Sequence, residues 1–195
     1  MEKRIDILKS IGLGEQLEGA GQKAVSEVYD KYIREALVVD AEGKTLGGAS
    51  AFELDLRSEL SLPRRLPIFV ARLDDGSAKY IFPLAGQGLW GQIWGYIALS
   101  DDMNTVYGAS FAHKSETPGL GADIATAGFQ SRFKGKKLFE GADMVSISLL
   151  KSGNTTNNPH AVDAISGATL TSVGVGNMLL SSLNEYRAFL ELKKK

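Results

Sequence analysis

The sequence predicts an α+β fold: a single domain in which antiparallel β-hairpins form a central sheet, flanked by N-terminal and C-terminal helices. Residues 74–77 and 101–104 are turn-forming segments, and each lies between two apolar segments, which is typical of a β-hairpin. Apolar residues at helical spacing occur before the hairpins and again near the end of the chain. Two central hairpins with helices before and after them favour one domain around an antiparallel sheet.

The N-terminal part predicts a helix followed by a strand. Val25, Val28 and Tyr32 are among the apolar residues at helical spacing, which predict an amphipathic helix over about residues 20–35. Residues 37–39 then predict a strand. Further along, apolar Phe52, Leu54 and Leu56 alternate with charged residues, so we expect another strand with one highly charged face.

The remaining elements follow from the same two periodicities. Strands are expected on either side of both hairpin turns, then a helix, a strand and a long final helix. The expected ranges are 68–73, 79–84, 93–99 and 105–112 for the hairpin strands, 123–133 for the helix, 145–150 for the strand, and about 169 or 172 to 192 for the final helix.

Composition excludes several classes of function. The chain has 195 residues with 44% hydrophobic residues, enough for one domain with a sizeable core. The net charge is −1, which argues against a nucleic-acid partner. Because the chain has no cysteine and only two histidines, we expect no iron–sulfur cluster and no metal site, so redox chemistry would need an organic cofactor. No run approaches the roughly 20 apolar residues of a membrane span.

The most informative motif is the segment 163–169, which reads Asp-x-x-Ser-Gly-Ala-Thr and opens the final helix. Small residues let a ligand approach the backbone, and unpaired N–H groups at a helix start favour an anion. The motif therefore predicts a phosphate site beside a threonine hydroxyl. The alternative is that Ser166 only caps the helix. The candidate binding residues here are Asp163, Ser166, Gly167, Ala168, Thr169 and Thr171.

A second motif lies between the last hairpin strand and the following helix. Pro118 and Gly119 predict a turn. The polar side chains of this loop could hydrogen-bond a heterocycle, and Leu120 could cover an aromatic face. The alternative is a plain connecting loop with Thr117 as a cap. The candidate residues are Glu116, Thr117, Gly119, Leu120 and Gly121.

Trp90 is a third candidate, because it lies in a glycine-rich bend at residues 86–91. A tryptophan in this position is either a core residue at a bulge or a surface on which a ligand stacks. For Trp94 the core role is favoured.

Taken together and in this order, the motifs resemble the C subunit of the Na+-translocating NADH:quinone oxidoreductase. The segments that carry the resemblance are Gly88-Leu89-Trp90, then Glu116-Thr117-Pro118-Gly119-Leu120-Gly121, then Lys134-Gly135-Lys136-Lys137-Leu138, then Ser166-Gly167-Ala168-Thr169-Leu170-Thr171-Ser172.

The resemblance implies an electron carrier that holds FMN covalently, through a phosphoester to Thr169. It also implies that Trp90, Glu116, Thr117, Leu120 and Gly121 lie beside the flavin, and that the flavin does the chemistry. A separate flavin transferase would attach FMN with FAD as donor.

The resemblance further implies a place in a membrane-bound complex. The partners would be the other subunits of an NADH:quinone reductase, and the location would be the extracytoplasmic (periplasmic) face of the inner membrane. Residues 1–36 would then be a helical segment that follows a membrane anchor missing from this chain, and residues 37–195 the FMN-binding α+β domain.

Four alternatives remain open from the sequence. Two are close: the G subunit of an Rnf-type ion-translocating complex, and a free-standing extracytoplasmic domain that tethers flavin for another reductase. A third is a non-enzymatic binding or scaffold module, in which residues 166–169 only cap a helix. The fourth is a hydrolase with Thr169 as nucleophile, for which no base is evident nearby in the sequence.

Overall fold

The structure, a computed structural model, describes residues 1–48, 50–57, 64–151, 153 and 155–194. Within these residues, five antiparallel strands form one sheet in the order β1-β2-β3-β4-β5, the same as their order in the chain. The strands of this sheet are β1 (Ile33–Val39), β2 (Leu66–Arg72), β3 (Ala78–Gln87), β4 (Gln92–Ser100) and β5 (Val106–His113). This confirms the predicted α+β class with a hairpin-built sheet.

Both predicted hairpin turns are present. In the first, Gly76 adopts φ +80°, a conformation that favours glycine, and its N–H donates to the carbonyl of Leu73 over 2.9 Å. In the second, the carboxylate of Asp102 accepts the N–H groups of Asn104 and Thr105 over 2.9 and 2.8 Å. These local bonds fix the register of the paired strands.

The described α-helices cover both faces of the sheet. They are α1 (Glu2–Ser10), α2 (Gln22–Tyr32), α3 (Ala127–Gln130), α4 (Thr169–Glu185) and α5 (Arg187–Lys193). Two short two-stranded sheets complete the fold: β6 (Phe139–Glu140) with β7 (Asp143–Met144), and β8 (Ser148–Leu150) with β9 (Ala161–Asp163). In the described part of the chain no helix is long and apolar enough to cross a membrane.

The alternation of side chains along the strands divides the core into two clusters. On one face, Phe69, Ile81 and Tyr96 pack with buried residues of α1 and α2. On the other face, Phe82 and Ile97 pack with buried residues of α4 and α5. Because each central strand is buried on both sides, the apolar residues of the hairpins run nearly without interruption.

The predicted strand at 52–56 is wrong. Residues 51–53 and 56–57 form turns, and the alternation has another origin. Leu54 packs in the cluster with α1 and α2, whereas Leu56 packs in the cluster with α4 and α5. An irregular segment that contributes side chains to both core clusters can thus imitate the period of a strand.

Two predicted helices are present in a broken form. The helix expected over 123–133 consists of α3 and two short 3₁₀ segments, because the hydroxyl of Thr126 caps a new start by accepting the N–H of Phe129 over 3.3 Å. The final helix breaks at Tyr186, whose ring is fully buried and whose hydroxyl donates to the carbonyl of Pro67 over 2.9 Å.

Candidate functional site

Three segments that are far apart in the sequence converge at one end of the sheet. They are the bend between β3 and β4, the loop that follows β5, and the first turn of α4. The carboxylate of Glu116, from the middle segment, contacts the other two. Oε1 accepts the N–H of Trp90 over 2.8 Å, and Oε2 accepts the hydroxyl of Thr171.

Glu116 is buried, with 4% of its surface exposed, and both carboxylate oxygens are engaged inside the protein. Its own N–H donates to Nδ1 of His113 over 3.2 Å, which fixes the start of the loop to the end of β5. The structure therefore places Glu116 as an internal connection between Trp90 and α4.

Two glycines make room for this carboxylate. A Cβ on Gly88 would lie 2.6 Å from Oε1 of Glu116. A Cβ on Gly121 would lie 2.5 Å from both Oε2 of Glu116 and the hydroxyl oxygen of Thr171. At either distance the Glu116 carboxylate would have to shift, so the observed packing of the three segments favours glycine at both positions.

Thr169 is the first residue of α4, a helix of 17 residues, and its side chain is exposed. The residue before it, Ala168, is the N-cap, and no side chain caps the helix. The alternative in which Ser166 is the cap is therefore wrong: Ser166 lies two residues too early and is exposed. Among the described residues, the backbone N–H groups of Thr169, Leu170 and Thr171 have no hydrogen-bond partner.

Hydrogen bonds between residues 165 and 172 hold the loop before α4 in place. The N–H of Ala168 donates to the carbonyl of Ile165 over 3.1 Å, and the N–H of Ile165 donates to the hydroxyl of Ser172 over 3.0 Å. Gly167 has φ +77°, a conformation that favours glycine. A Cβ on Gly167 would lie 3.0 Å from Cδ2 of Leu120, so the turn packs closely against the Leu120 side chain. The motif is thus a preformed turn whose exposed end is Thr169.

Large apolar side chains are exposed around this end of the molecule. Trp90 is 65% exposed, Leu120 40% and Leu170 62%. Trp90 is therefore not a core residue. Trp94, for which the core role was favoured, is half-buried, with the guanidinium of Arg57 4.6 Å from its ring centroid. Exposed apolar area of this kind marks a place where a ligand or a partner binds.

Thr117 and Gly119 shape the loop between them. The carbonyl of Thr117 accepts the N–H groups of Leu120 and Ala122 over 3.1 and 3.0 Å, and Gly119 has φ +72°. The side chain of Thr117 is exposed and caps no helix, because the 3₁₀ segment after the loop has Leu120 as its N-cap.

Asp163 forms hydrogen bonds with two residues from earlier parts of the chain. Its carboxylate accepts the hydroxyl of Thr155, and its carbonyl accepts Nη1 of Arg132 over 2.8 Å. With Lys136 and Ser166, these residues line an open cleft of about 490 Å³. These hydrogen bonds thus connect the start of the motif to residues 132 and 155.

Sequence reasoning missed two contributors. Ser172 holds the loop before α4, and Arg132 bonds to the carbonyl of Asp163 from 31 residues earlier in the chain. A serine one turn after Ala168 is a local signal that could have been used for Ser172, whereas nothing in the sequence points to Arg132. Among the described residues, no three metal-ligating side chains lie together.

The site fits the phosphate end and the ring end of a flavin nucleotide. The uncapped start of α4 offers free N–H groups and the positive end of a helix dipole beside an exposed hydroxyl. Trp90 and Leu120 offer exposed apolar surfaces of the kind that contact an aromatic ring system.

Comparison with known proteins agrees with this geometry. The family model of the FMN-binding domain matches residues 88–184, which contain all three segments of the site. Fold and site together therefore define an FMN-binding domain.

Comparison with single proteins is more specific. The chain is 31% identical to the C subunit of the Na(+)-translocating NADH-quinone reductase of Vibrio vulnificus (strain YJ016), over 90% of this chain and 74% of the relative. It is 32% identical to the corresponding protein of Neisseria meningitidis serogroup A, over 90% of this chain and 68% of the relative.

Solved structures lead to the same family. The crystal structure of the C subunit of this reductase from Parabacteroides distasonis superposes with a TM-score of 0.87 at 41% identity, over 97% of this chain and 91% of that one. The NqrC of Shewanella oneidensis superposes with a TM-score of 0.85 at 25% identity, over 99% and 96%. The chain belongs to the NqrC family, the C subunits of Na+-translocating NADH-quinone reductases.

Proposed function

We propose that this protein is an electron-carrying subunit of a sodium-pumping NADH:quinone reductase that holds FMN covalently, through a phosphoester to Thr169. The observation that carries the proposal is the start of α4: an exposed threonine hydroxyl beside free N–H groups, on a helix without a side-chain cap. Membership of the NqrC family and the match to the FMN-binding domain support it.

Different residues of the chain would hold the phosphate and the ring of the cofactor. Thr169 supplies the hydroxyl oxygen that becomes the ester, and the N–H groups of Leu170 and Thr171 favour the phosphate charge. Trp90 and Leu120 are the walls that contact the ring. When bound, the flavin supplies the redox chemistry, so the protein needs no acid–base pair of its own.

Attachment of FMN would require a second protein and a flavin dinucleotide. In the proposed reaction the FMN phosphoryl group of FAD moves to the Thr169 oxygen: the new bond is Oγ–P, the broken bond is the P–O bond to AMP, AMP leaves, and the hydroxyl proton is released. The exposure of Thr169 supports this, because a separate transferase must reach the hydroxyl.

The partners would be the other subunits of the reductase, with electrons passing toward quinone. The exposed apolar side chains around the site support an exchange of electrons between proteins, since such surfaces become buried in interfaces. The location at the extracytoplasmic face of the inner membrane belongs to the same proposal and rests on the family resemblance alone.

The test is co-expression with a flavin transferase of three forms of the chain: wild type, Thr169→Val and Thr45→Val. Thr45 is an exposed threonine outside the motif at 163–169 and serves as the matched control. We expect flavin fluorescence on a denaturing gel, and the mass of one FMN less water, for wild type and Thr45→Val only. Label on Thr169→Val, or an unlabelled wild type beside a labelled known acceptor, would refute the proposal.

A further inference from the structure

The burial of the Glu116 carboxylate costs free energy. A carboxylate that is removed from water loses hydration, and that loss is offset only by strong partners. Glu116 forms no salt bridge with any described residue, and its partners are one backbone N–H and one hydroxyl. A smaller apolar residue would avoid this cost, so the carboxylate must contribute something other than burial.

Its two bonds hold both halves of the proposed flavin site. Oε1 accepts the N–H of Trp90, and the neighbouring Ser115 hydroxyl donates to the carbonyl of the same residue over 3.0 Å. Residues 115 and 116 therefore bind both polar backbone groups of Trp90, its N–H and its carbonyl. Oε2 accepts the hydroxyl of Thr171, which lies on the first turn of α4, two residues after Thr169.

We infer that Glu116 is a positioning residue, which holds Trp90 and the first turn of α4 in the arrangement that flavin attachment requires and keeps a negative charge beside the site. The inference rests on the proposed function for its consequence, whereas the contacts themselves can be tested in the flavin-free chain. We name the contact of Glu116 with Trp90 and Thr171 the Glu116 clasp.

The clasp connects two exposed parts of the site. Thr169 and Trp90 are both exposed, so neither is held by packing of its own side chain. Without Glu116, the bend between β3 and β4 would lose the hydrogen bond from the Trp90 N–H, and the start of α4 would lose the hydrogen bond from the Thr171 hydroxyl. The transferase would then have to order them itself, which lowers the rate of attachment.

Glutamine separates the geometry of the clasp from its charge. In Glu116→Gln the amide oxygen still accepts the Trp90 N–H, and the amide nitrogen donates to the Thr171 oxygen, so both contacts remain. In Glu116→Ala both are lost. Thr171→Val removes one contact at nearly constant volume, and Thr171→Ser restores its hydroxyl. The control is Ser182→Ala, which removes a buried α4 hydroxyl that contacts β3 away from Thr169.

Three measurements test the inference. The first is hydrogen exchange of the Trp90 amide in the flavin-free chain, where we expect fast exchange in Glu116→Ala and protection in wild type and Glu116→Gln. The second is the rate of flavin attachment by purified transferase with FAD. It should fall about tenfold or more in Glu116→Ala and Thr171→Val, because a buried bond is lost, and recover in Glu116→Gln and Thr171→Ser.

The third measurement is the reduction potential of the loaded chain. Since a buried charge is weakly screened, the loss of the negative charge in Glu116→Gln should raise the potential, whereas Thr171→Val should not. A residue that only supports the fold would leave the potential of Glu116→Gln unchanged.

The outcomes separate the clasp from the proposed function. A wild type that takes up no FMN refutes the proposed function. A labelled wild type with equal attachment rates for Thr171→Val, Thr171→Ser and Ser182→Ala refutes the clasp, as does a Glu116→Gln variant as slow as Glu116→Ala. An unchanged potential in Glu116→Gln refutes the second part of the inference, that Glu116 keeps a negative charge beside the site. If Glu116→Ala does not fold, the Thr171 pair and Glu116→Gln still decide.

Discussion

Thr169 and Thr171 lie two residues apart on the first turn of α4, yet their surroundings are opposite. Thr169 is exposed, whereas Thr171 is 1% exposed and its hydroxyl donates to Glu116. A helix turns about 200° over two residues, so one hydroxyl must face outward when the other faces inward. The geometry of the helix thus leaves Thr169 available for attachment and commits Thr171 to holding the helix.

Gly121 provides the residue-scale test of this packing. We expect Gly121→Ala to lower the free energy of unfolding by about 1–3 kcal/mol, because its Cβ would lie 2.5 Å from both Glu116 and Thr171, so both side chains must shift. Urea unfolding measures the loss.

Gly128→Ala is the control, because a Cβ at this position of α3 has no neighbour within 4 Å. If both variants are as stable as wild type, the close packing around Glu116 is not as described.

The element that positions the site is α4, and small residues let it approach the end of β3. A Cβ on Gly174 would lie 2.5 Å from the carbonyl oxygen of Gln87, which is backbone and cannot rotate away. Gly86, on the strand, similarly faces Met178, whose Cβ would be 2.6 Å from an added methyl group. Close contact between this helix and this strand brings Thr169 near the bend that carries Trp90.

Two glycines in α4 give a matched pair of substitutions. Gly174→Ala should destabilise the chain by about 1–3 kcal/mol, because the helix must shift away from β3. Gly176→Ala should be neutral or stabilise by up to about 1 kcal/mol, because its Cβ would be 3.6 Å from Leu149 and alanine favours a helix.

Urea unfolding, together with the rate of flavin attachment, distinguishes the two variants. Equal effects at both positions would contradict the account of helix–strand contact.

The hairpin between β4 and β5 carries a prediction on pH. Partial burial raises the pKa of Asp102, but hydrogen bonds from the Thr105 hydroxyl and from the N–H groups of Thr105 and Asn104 outweigh it, so the pKa lies below its ordinary 3.8. A lowered pKa means that the ionised group stabilises the fold above the unfolded-state value, and that this contribution is lost as the pH falls through the folded-state value.

Asp102→Asn should therefore be less stable than wild type at pH 7, by less than about 1 kcal/mol since the carboxylate is partly exposed. The difference should shrink once the pH falls below the ordinary 3.8. Urea midpoints measured from neutral to acid pH test this, and a difference that stays constant with pH would contradict it.

For the molecule as a whole, turn residues that are close together in the sequence predicted the sheet. The features that were not predicted depend on contacts between distant parts of the chain. Turn residues at 74–77 and 101–104 fixed both hairpins, because a turn and its flanking strands are neighbours in sequence. The prediction of a strand at 52–56 was wrong because Leu54 and Leu56 pack in two different clusters, whereas two such residues of a strand would share one face. The break at Tyr186 depends on Pro67, 119 residues away.

The candidate site shows the same division. The motif at 163–169 and the loop around Glu116 are visible in the sequence as turn-forming segments. That Glu116 lies inside the protein, 55 residues from its partner Thr171, depends on how the fold brings α4 to β3. Asp163 belongs to the motif in sequence, yet strand β9 turns its carboxylate toward Thr155.

Covalent attachment of FMN at Thr169 is tested by fragmentation mass spectrometry of the wild-type chain after co-expression with an active flavin transferase. We predict one FMN phosphoester, located by its fragments on Thr169 and on no other residue. An adduct on Thr171 or Ser166, or an unmodified chain beside a modified control acceptor, would contradict it.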